Sequence, residues 1–253
     1  MVPITSLMAT FTPRPFTKRI ETLVKTFYGR FGKRIFDTAI SSVALVMLTP
    51  LFAVVALLVK ATSRGPIFYR QARVGRNGRI FQLVKFRSMF VNADRGGLLI
   101  TSAGDRRITR LGRILRRSKV DELPQLWNVV RGEMSLIGPR PEVPLYVDSY
   151  SEAQREVLTI NPGITDPASI AYRDEENVLA GKTDADLYYR EVVLPHKVKL
   201  NREYLKQMSF SYDLRLLFHT IAVVAFPRSL SRRLTRCATK SPERANESLF
   251  LNR

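Results

Sequence analysis

The most extended hydrophobic segment of the chain is an apolar run over residues 35–59, IFDTAISSVALVMLTPLFAVVALLV, in which Asp37 is the only charged residue. Lys33, Arg34 and Lys60 bracket this run. Its 25 residues would extend roughly 37 Å as a helix, which exceeds the roughly 30 Å hydrocarbon core of a bilayer. Length and composition therefore predict a membrane helix.

A proline inside this run changes the expected course of the helix. Pro50, preceded by Thr49, is expected to bend it, because proline removes one amide donor and crowds the preceding turn. The arms 35–49 and 51–59 would be about 22 Å and about 14 Å long, so neither crosses a bilayer alone. Basic residues flank both ends, whereas a single span usually concentrates them on one side. The pattern favours a re-entrant helix over 33–60. A straight span and a buried helix of a soluble core are the alternatives.

The segments after this run alternate between strand and helix patterns. IFYRQARV and IFQLVKF flank Arg76-Asn77-Gly78-Arg79, a sequence typical of a β-hairpin tip. Ile108–Arg117 has the spacing of a basic amphipathic helix, which would lie either at the headgroup level of a membrane or against solvent. Residues 184–207 and 211–226 also have helical patterns. The second of these would rest on a membrane or belong to the domain core. The predicted fold is α+β, mostly helical with a small β-hairpin or sheet.

These patterns divide the chain into four parts. Residues 1–32 form a basic arm, interpreted as a mobile segment or a surface-lying helix, without the features of a signal peptide. The membrane helix takes 33–60 and the main folded domain 61–227. Residues 228–253 form a polar, basic tail of a composition typical of disorder.

Charge is unevenly distributed over the 253 residues, whose net charge is +19. Residues 60–119 contain sixteen lysines and arginines but only two acids, whereas residues 120–227 contain eleven basic and sixteen acidic residues. A positive field beside an apolar run suits an anionic membrane face and an anionic substrate. On charge alone, nucleic acid would be the favoured partner.

The candidate chemistry is centred on two adjacent carboxylates, Asp121 and Glu122, with Arg116 and Arg140 nearby in the sequence. Arginines hold phosphoryl oxygens in a bidentate fork, while carboxylates bind Mg²⁺ or attack phosphorus. An exposed helix start with surface ion pairs is the alternative for an isolated acid pair. The clustered guanidiniums favour a phosphate-ester site instead.

Two signals place a helix start next to the acid pair. Ser118 and Asp121 have the S-x-x-D spacing of a capping box, whereas Pro124 favours a start nearer to itself. In either case we expect Asp121 in or near a first helical turn, where the helix dipole stabilises an anion.

Three sequence blocks carry a family resemblance. DELPQLWNVVRGEMSLIGPRPE at 121–142, with KFRSM at 85–89 and PGIT at 162–165, resembles the bacterial sugar transferases that act on polyprenyl phosphate. These are small monotopic phosphoglycosyl transferases, and the resemblance extends from about Lys33 to Phe226. It implies the minimal form of the family, with no multi-span domain ahead of it.

The resemblance implies a reaction and a cellular location. A sugar 1-phosphate would pass from a UDP-sugar to polyprenyl phosphate, with release of UMP, as the first membrane step of surface polysaccharide synthesis. Mg²⁺ would be the cofactor. Residues 61–227 would be a catalytic domain with membrane-surface helices on the cytoplasmic face of the bacterial inner membrane. The single cysteine, Cys237, cannot form an internal disulfide, which agrees with a reducing compartment.

The resemblance also assigns individual roles. Asp121 matches the nucleophile that would form an aspartyl phosphosugar, and Glu122 matches the partner that holds the metal, so both are predicted Mg²⁺ ligands. If the lipid phosphate displaces UMP directly, Asp121 is a metal ligand only. The predicted phosphate-binding residues are Arg116, Arg140, Lys85 and Arg87, the last two with lipid headgroups as the alternative contact. Thr49 and Pro50 match the membrane bend.

The predicted partners are a UDP-sugar, polyprenyl phosphate and anionic inner-membrane lipid. A nucleic-acid binder would explain the charge but neither the apolar run nor the block at 121–142, so no nucleic acid is expected. A homodimer is left open. Asp166-Pro167 stands where many members have glycine after PGIT, and we expect this departure to alter the edge of the donor pocket. Trp127 and Asn128 are expected to serve packing.

Overall fold

The computed structural model describes residues 28–91, 93, 101 and 104–225. The predicted tail, most of the predicted arm and most of the glycine-containing loop at 94–104 lie outside these residues. The described chain is mostly helical with two small sheets, which confirms the predicted class. Its helices and strands are α1 (Lys33–Thr62), β1 (Phe68–Val74), β2 (Ile80–Phe86), α2 (Arg110–Arg117), α3 (Gln125–Val130), β3 (Ser135–Ile137), α4 (Pro144–Asp148), β4 (Gly163–Thr165), α5 (Pro167–Ala171), α6 (Glu175–Leu179), α7 (Ala185–Tyr188), α8 (Leu194–Gln207) and α9 (Phe210–Ala225).

Helix α1 contains the apolar run and is long and apolar enough to cross a membrane. Its 30 residues correspond to roughly 45 Å. Only 11% of the most apolar 18-residue stretch of this helix is buried inside the protein, so α1 is not the core helix of a soluble domain. The helix continues through Pro50, and the Thr49 hydroxyl donates to the carbonyl of Leu45 at 2.9 Å. The re-entrant course stays a prediction.

Buried polar contacts fasten the first turn of α1 to the rest of the protein. Lys33 Nζ lies 2.6 Å from Oδ2 of Asp213 in α9. The guanidinium of Arg34 donates to the carbonyls of Val129 and Val130, at 2.5 and 2.8 Å. These carbonyls end α3, the helix that follows the acid pair. The apolar helix is therefore coupled directly to the segment that carries the candidate chemistry.

The predicted β-hairpin is confirmed. Strands β1 and β2 pair antiparallel, with Phe68 opposite Phe86 and Val74 opposite Ile80. At the tip, Asn77 adopts a φ of 56°, which asparagine tolerates better than most residues. A small apolar cluster packs one strand of the hairpin against two helices. It joins α1, β2 and α2 through Val55, Val59, Phe86 and Leu115.

Helix α2 begins at Arg110, where the Thr109 side chain accepts a hydrogen bond from the Gly112 N–H at 2.8 Å. Its predicted apolar face packs inside the protein, because Leu115 and the preceding Ile108 are both buried. That face is therefore not free to lie on lipid headgroups. Helix α9 serves core and surface together: Leu216 is buried, whereas Phe218 is 61% exposed.

A second, parallel sheet was not predicted from the sequence. Strands β3 and β4 pair Ser135 with Gly163 and Ile137 with Thr165. Their ends approach so closely that a Cβ on Gly163 would lie 2.1 Å from the backbone nitrogen of Gly138. Glycine at both positions thus allows the GPRP loop (residues 138–141) and the PGIT segment (162–165) to lie side by side.

Candidate functional site

The acid pair lies in a separate 3₁₀ turn, Val120–Glu122, between α2 and α3. Lys119 enters this turn in the left-handed region, with a φ of 58°. The Ser118 hydroxyl donates to the carbonyl of Ile114 at 2.9 Å and closes α2. The predicted capping box is therefore wrong, and α3 begins after Pro124, as the alternative signal indicated.

Glu122 is the ionic centre of the site. Arg140 reaches it with a two-point fork, Nη1 to Oε2 at 3.0 Å and Nη2 to Oε1 at 2.6 Å. Lys85 Nζ lies 3.6 Å from Oε1. Burial alone would raise the pKa of Glu122, but the charges of Arg140, Lys85 and Lys119 outweigh it and hold the pKa well below its usual range. The ionised carboxylate thus joins β2 to the GPRP loop.

The ammonium group of Lys85 has a lowered pKa. Burial lowers its pKa to about 8, partly opposed by the negative charge of Glu122 and reinforced by the positive charge of Arg140. Such a cation is poorly solvated, so a bound anion would stabilise its charged form.

Asp121 differs from its neighbour in having a buried carboxylate oxygen without a hydrogen-bond partner. The residue is 4% exposed, and its Oδ1 is buried without a hydrogen-bond partner in the described part of the chain. Burial, and then the adjacent charge of Glu122, raise its pKa. An unpartnered buried carboxylate oxygen is costly, and such groups concentrate where ligands bind or react.

Arg116 lies close enough to the acid pair for its charge to lower the pKa of Asp121. Its guanidinium is nevertheless paired with Glu176 of α6, through Nε to Oε1 at 3.0 Å and through a second, shorter contact from Nη2. Arg116 therefore connects α2 to α6 at one side of the site.

Arg87 is not brought to the acid pair. Strand β2 ends at Phe86, and the Arg87 guanidinium turns to the end of α1, where Nη2 donates to the Ser63 carbonyl at 2.7 Å and to its hydroxyl at 2.6 Å. Only 6% of the residue is exposed. The Arg87 guanidinium thus contacts the end of α1 in this structure, and its assignment to substrate phosphate stays a prediction.

Asp166 fixes the backbone of the GPRP loop, a role that was not predicted from the sequence. Its Oδ2 accepts from the Arg140 N–H at 2.9 Å and from Asn201 Nδ2 at 2.8 Å. Its Oδ1 accepts from the Ser169 N–H and so caps α5. The Asp166-Pro167 pair has the sequence signature of a helix start, which could have indicated the cap but not the contact with Arg140.

The other flank of the loop is fastened by Glu142. Its carbonyl accepts from the Val74 N–H at 3.0 Å, and its Oε1 accepts from the Tyr189 hydroxyl at 2.7 Å. Arg73 Nη1 donates to the Pro141 carbonyl at 3.0 Å. The loop that carries Arg140 is therefore fixed on both sides.

Of the two residues of α3 that were expected to serve packing, Asn128 does so and Trp127 does not. Asn128 is buried, donates to the Gln82 carbonyl at 2.8 Å and accepts from the Val84 N–H at 3.1 Å. Trp127 is 52% exposed, so the expectation that it serves packing does not hold.

The carboxylate oxygens of the acid pair can be compared with the ligands that Mg²⁺ prefers. The described residues contain no group of three or more potential ligands, and Asp121 and Glu122 are the adjacent pair at the site. Mg²⁺ is commonly held by one or two carboxylates together with substrate phosphates and water. The free Oδ1 of Asp121 fits this pattern, whereas both oxygens of Glu122 are engaged by cations. The residues therefore fit a Mg²⁺ ion shared with a substrate phosphate.

The acid pair, with Asp121 buried and Glu122 partly buried, is framed by cations, and the same protein presents an exposed apolar helix long enough to cross a membrane. Residues 28–227 match the family model described as bacterial sugar transferase, and the chain belongs to that family.

Three curated relatives illustrate the similarity. The chain is 40% identical over 204 residues to an undecaprenyl-phosphate glucose phosphotransferase of Komagataeibacter xylinus, covering 78% of this chain and 36% of the relative. It is 34% identical over 202 residues to the UDP-N-acetylgalactosamine-undecaprenyl-phosphate N-acetylgalactosaminephosphotransferase of Aeromonas hydrophila, covering 77% and 44%. It is 34% identical over 215 residues to the exopolysaccharide production protein ExoY of Sinorhizobium fredii, covering 79% and 88%. The match thus spans less than half of the first two relatives and most of the third.

Proposed function

We propose that this protein transfers a sugar 1-phosphate from a UDP-sugar to a polyprenyl phosphate, forming a polyprenyl-diphospho-sugar and UMP. The observation that carries the proposal is the unpartnered, buried oxygen of Asp121 next to Glu122, the carboxylate that pairs with the cations Lys85 and Arg140. The printed names of two relatives, which specify undecaprenyl phosphate, support the same substrate class. A role in exopolysaccharide synthesis agrees with the name of the third.

In the proposed chemistry, Asp121 acts as a nucleophile. Its carboxylate oxygen attacks the sugar-linked phosphorus of the donor, the bond from that phosphorus to the bridging oxygen breaks, and UMP leaves with the electron pair. An oxygen of the polyprenyl phosphate then attacks the same phosphorus and releases the Asp121 carboxylate. Covalent catalysis suits a site that serves one soluble and one membrane substrate, because the two need not be bound together.

Two cations would bind the phosphoryl groups of the donor. Arg140 and Lys85 are held in place by Glu122, the neighbour of Asp121 in the sequence, and the charge of Lys85 also acts on Asp121. A substrate phosphate would share these cations with Glu122, which lowers the repulsion between two anionic substrates. Mg²⁺ held by Asp121 and by substrate phosphate would supply further neutralisation of phosphoryl charge. Glu122 would join as its second carboxylate through the lone pairs that Arg140 and Lys85 leave free.

The membrane arrangement is part of the proposal. Helix α1 would enter and leave one leaflet as a re-entrant helix on the cytoplasmic side of the bacterial inner membrane. The contacts of Arg34 with the end of α3 support a fixed depth for the acid pair, near the lipid phosphate. Nucleotide sugars are cytosolic, so this orientation would give the site access to both substrates.

The proposal is tested with detergent-purified protein and a panel of UDP-sugars. Sustained UMP release is expected only with polyprenyl phosphate and Mg²⁺ present, and the sugar should appear in a lipid-extractable product. Asp121→Asn serves as the matched inactive control. The proposal fails if no UDP-sugar of the panel supports turnover, or if UMP release is independent of the lipid phosphate.

A further inference from the structure

Gln125 is a buried polar residue of the site to which the proposed chemistry gives no role. It begins α3, four positions after Asp121, and only 1% of it is exposed. Its side-chain Nε2 is buried without a hydrogen-bond partner in the described part of the chain. Buried amides in folded proteins are almost always hydrogen-bonded, so an unpartnered one suggests a donor reserved for a ligand.

The amide lies at a cavity whose lining is predominantly cationic. The cavity is a narrow, partly open crevice between β2 and the GPRP loop. It is lined by Arg73, Leu83, Lys85, Gln125, Arg140 and Pro141. Three of these six side chains are positively charged, and none carries a negative charge, so the chemistry of the lining selects an anion with several acceptor oxygens.

The other polar groups of the lining already have partners. Arg140 forks to Glu122, and Lys85 lies 3.6 Å from the same carboxylate. Arg73 donates through Nε and Nη2 to Gln71 and through Nη1 to Pro141. The Gln125 amide is thus a donor at this cavity that would gain a first hydrogen bond when a phosphoryl oxygen enters.

We propose that Gln125 contacts substrate: its amide N–H donates to a phosphoryl oxygen of the group bound between Lys85 and Arg140. This inference rests on the proposed function and extends its phosphate site by one neutral donor. A neutral amide is suited to this position because a fourth cation beside Arg73, Lys85 and Arg140 would be repelled, whereas an amide adds a hydrogen bond without adding charge.

Two variants separate contact with substrate from a structural role. Gln125→Met keeps the length of the side chain and removes the donor. The ligand-free variant should unfold at the same temperature as wild type or higher, because a buried unpartnered amide is removed. Its kcat/KM for the UDP-sugar should fall by about tenfold, the scale of one lost hydrogen bond to a charged group. Gln125→Glu, which matches the shape but places a carboxylate opposite the phosphate, should be more severe.

The inference is overturned if Gln125→Met turns over within about twofold of wild type. It is also overturned if the Met variant loses activity together with a lower unfolding temperature, since that pattern marks a structural residue. Calorimetric binding of inorganic pyrophosphate to wild type and Gln125→Met gives a reading independent of turnover. Weaker pyrophosphate binding by the Met variant supports the inference even if the wild type transfers no sugar, whereas equal binding overturns it.

Discussion

The backbone N–H of Arg140 donates to Oδ2 of Asp166 at 2.9 Å, so a carboxylate that follows β4 fixes the loop carrying the guanidinium of the site. Asp166 is fully buried, and the same oxygen accepts from Asn201 at 2.8 Å. The two segments that meet in the parallel sheet are therefore joined again just beyond its end. The position of Arg140 therefore depends on Asp166 and Asn201 as well as on its own neighbours in the sequence.

Replacement of Asp166 should affect stability and donor binding together. Asp166→Ala leaves the N–H groups of Arg140, Ser169 and Asn201 without their acceptor and should lower the free energy of unfolding by about 2–4 kcal/mol. The KM for the UDP-sugar should rise because Arg140 is less well placed. Urea unfolding and steady-state UMP release measure the two effects. Asp166→Asn retains one carbonyl oxygen and should lie between; an alanine variant equal to wild type would contradict the positioning role.

Loss of the Asp121 carboxylate should abolish most activity. Asp121→Asn should reduce turnover by at least about 10³-fold, the scale expected when a covalent catalyst is removed. Glu122→Gln should also be severe, because Arg140 and Lys85 lose the carboxylate that holds them. Initial rates of UMP release provide the measurement. Near-normal turnover in Asp121→Asn would remove Asp121 from the mechanism.

The covalent route predicts an isolable intermediate. Incubation with UDP-sugar alone should add the mass of one phosphosugar to the protein, and peptide mapping should place it on Asp121. Asp121→Asn is the matched control and should carry no adduct. If no adduct forms and the kinetics require both substrates bound together, direct displacement is correct and Asp121 is a metal ligand only.

The fork between Arg140 and Glu122 should make lysine a poor substitute. Arg140→Lys keeps the charge but cannot form both contacts, so kcat/KM should fall by about 10-fold to 100-fold. Arg131→Lys is a useful control, because Arg131 has an exposed side chain paired with Glu133 at 3.2 Å. An unchanged kcat and KM in Arg140→Lys would assign this arginine a purely structural role.

Membrane topology can be read by cysteine labelling. In a chain with Cys237 replaced, Lys25→Cys and Arg64→Cys should both resist an impermeant thiol reagent in intact cells and react after permeabilisation. Arg64 is exposed, whereas a side chain on the adjacent Gly65 would place its Cβ 2.3 Å from Nη1 of Arg87. Labelling of the two cysteines from opposite sides would show that α1 crosses the membrane.

The same cysteine labelling tests whether Thr49 and Pro50 redirect α1. Replacing Thr49 and Pro50 together by leucine removes the proline and the hydroxyl that donates to the Leu45 carbonyl. If these residues redirect α1, the cysteine at position 25 should move to the far side and become accessible in intact cells. Unchanged accessibility would mean that other contacts, such as that of Lys33 with Asp213, determine the course of the helix.

The elements set by neighbouring residues could be predicted from the sequence. The apolar run of α1, the hairpin tip at Asn77-Gly78 and the helix start after Pro124 each depend on residues only a few positions apart. The parallel pairing of β3 with β4 could not be predicted in this way. Each strand has three residues, and the pairing depends on contact between segments distant in the chain.

The sequence by itself determined that an acid pair would stand among arginines and lysines near an apolar helix. Only the tertiary structure decided which cation belongs to which partner: Arg140 to Glu122, Arg116 to Glu176 and Arg87 to Ser63. These pairs are separated by 18, 60 and 24 positions along the chain. A charged side chain has no local signal for a distant partner, because its energy depends on burial and distance in the folded protein.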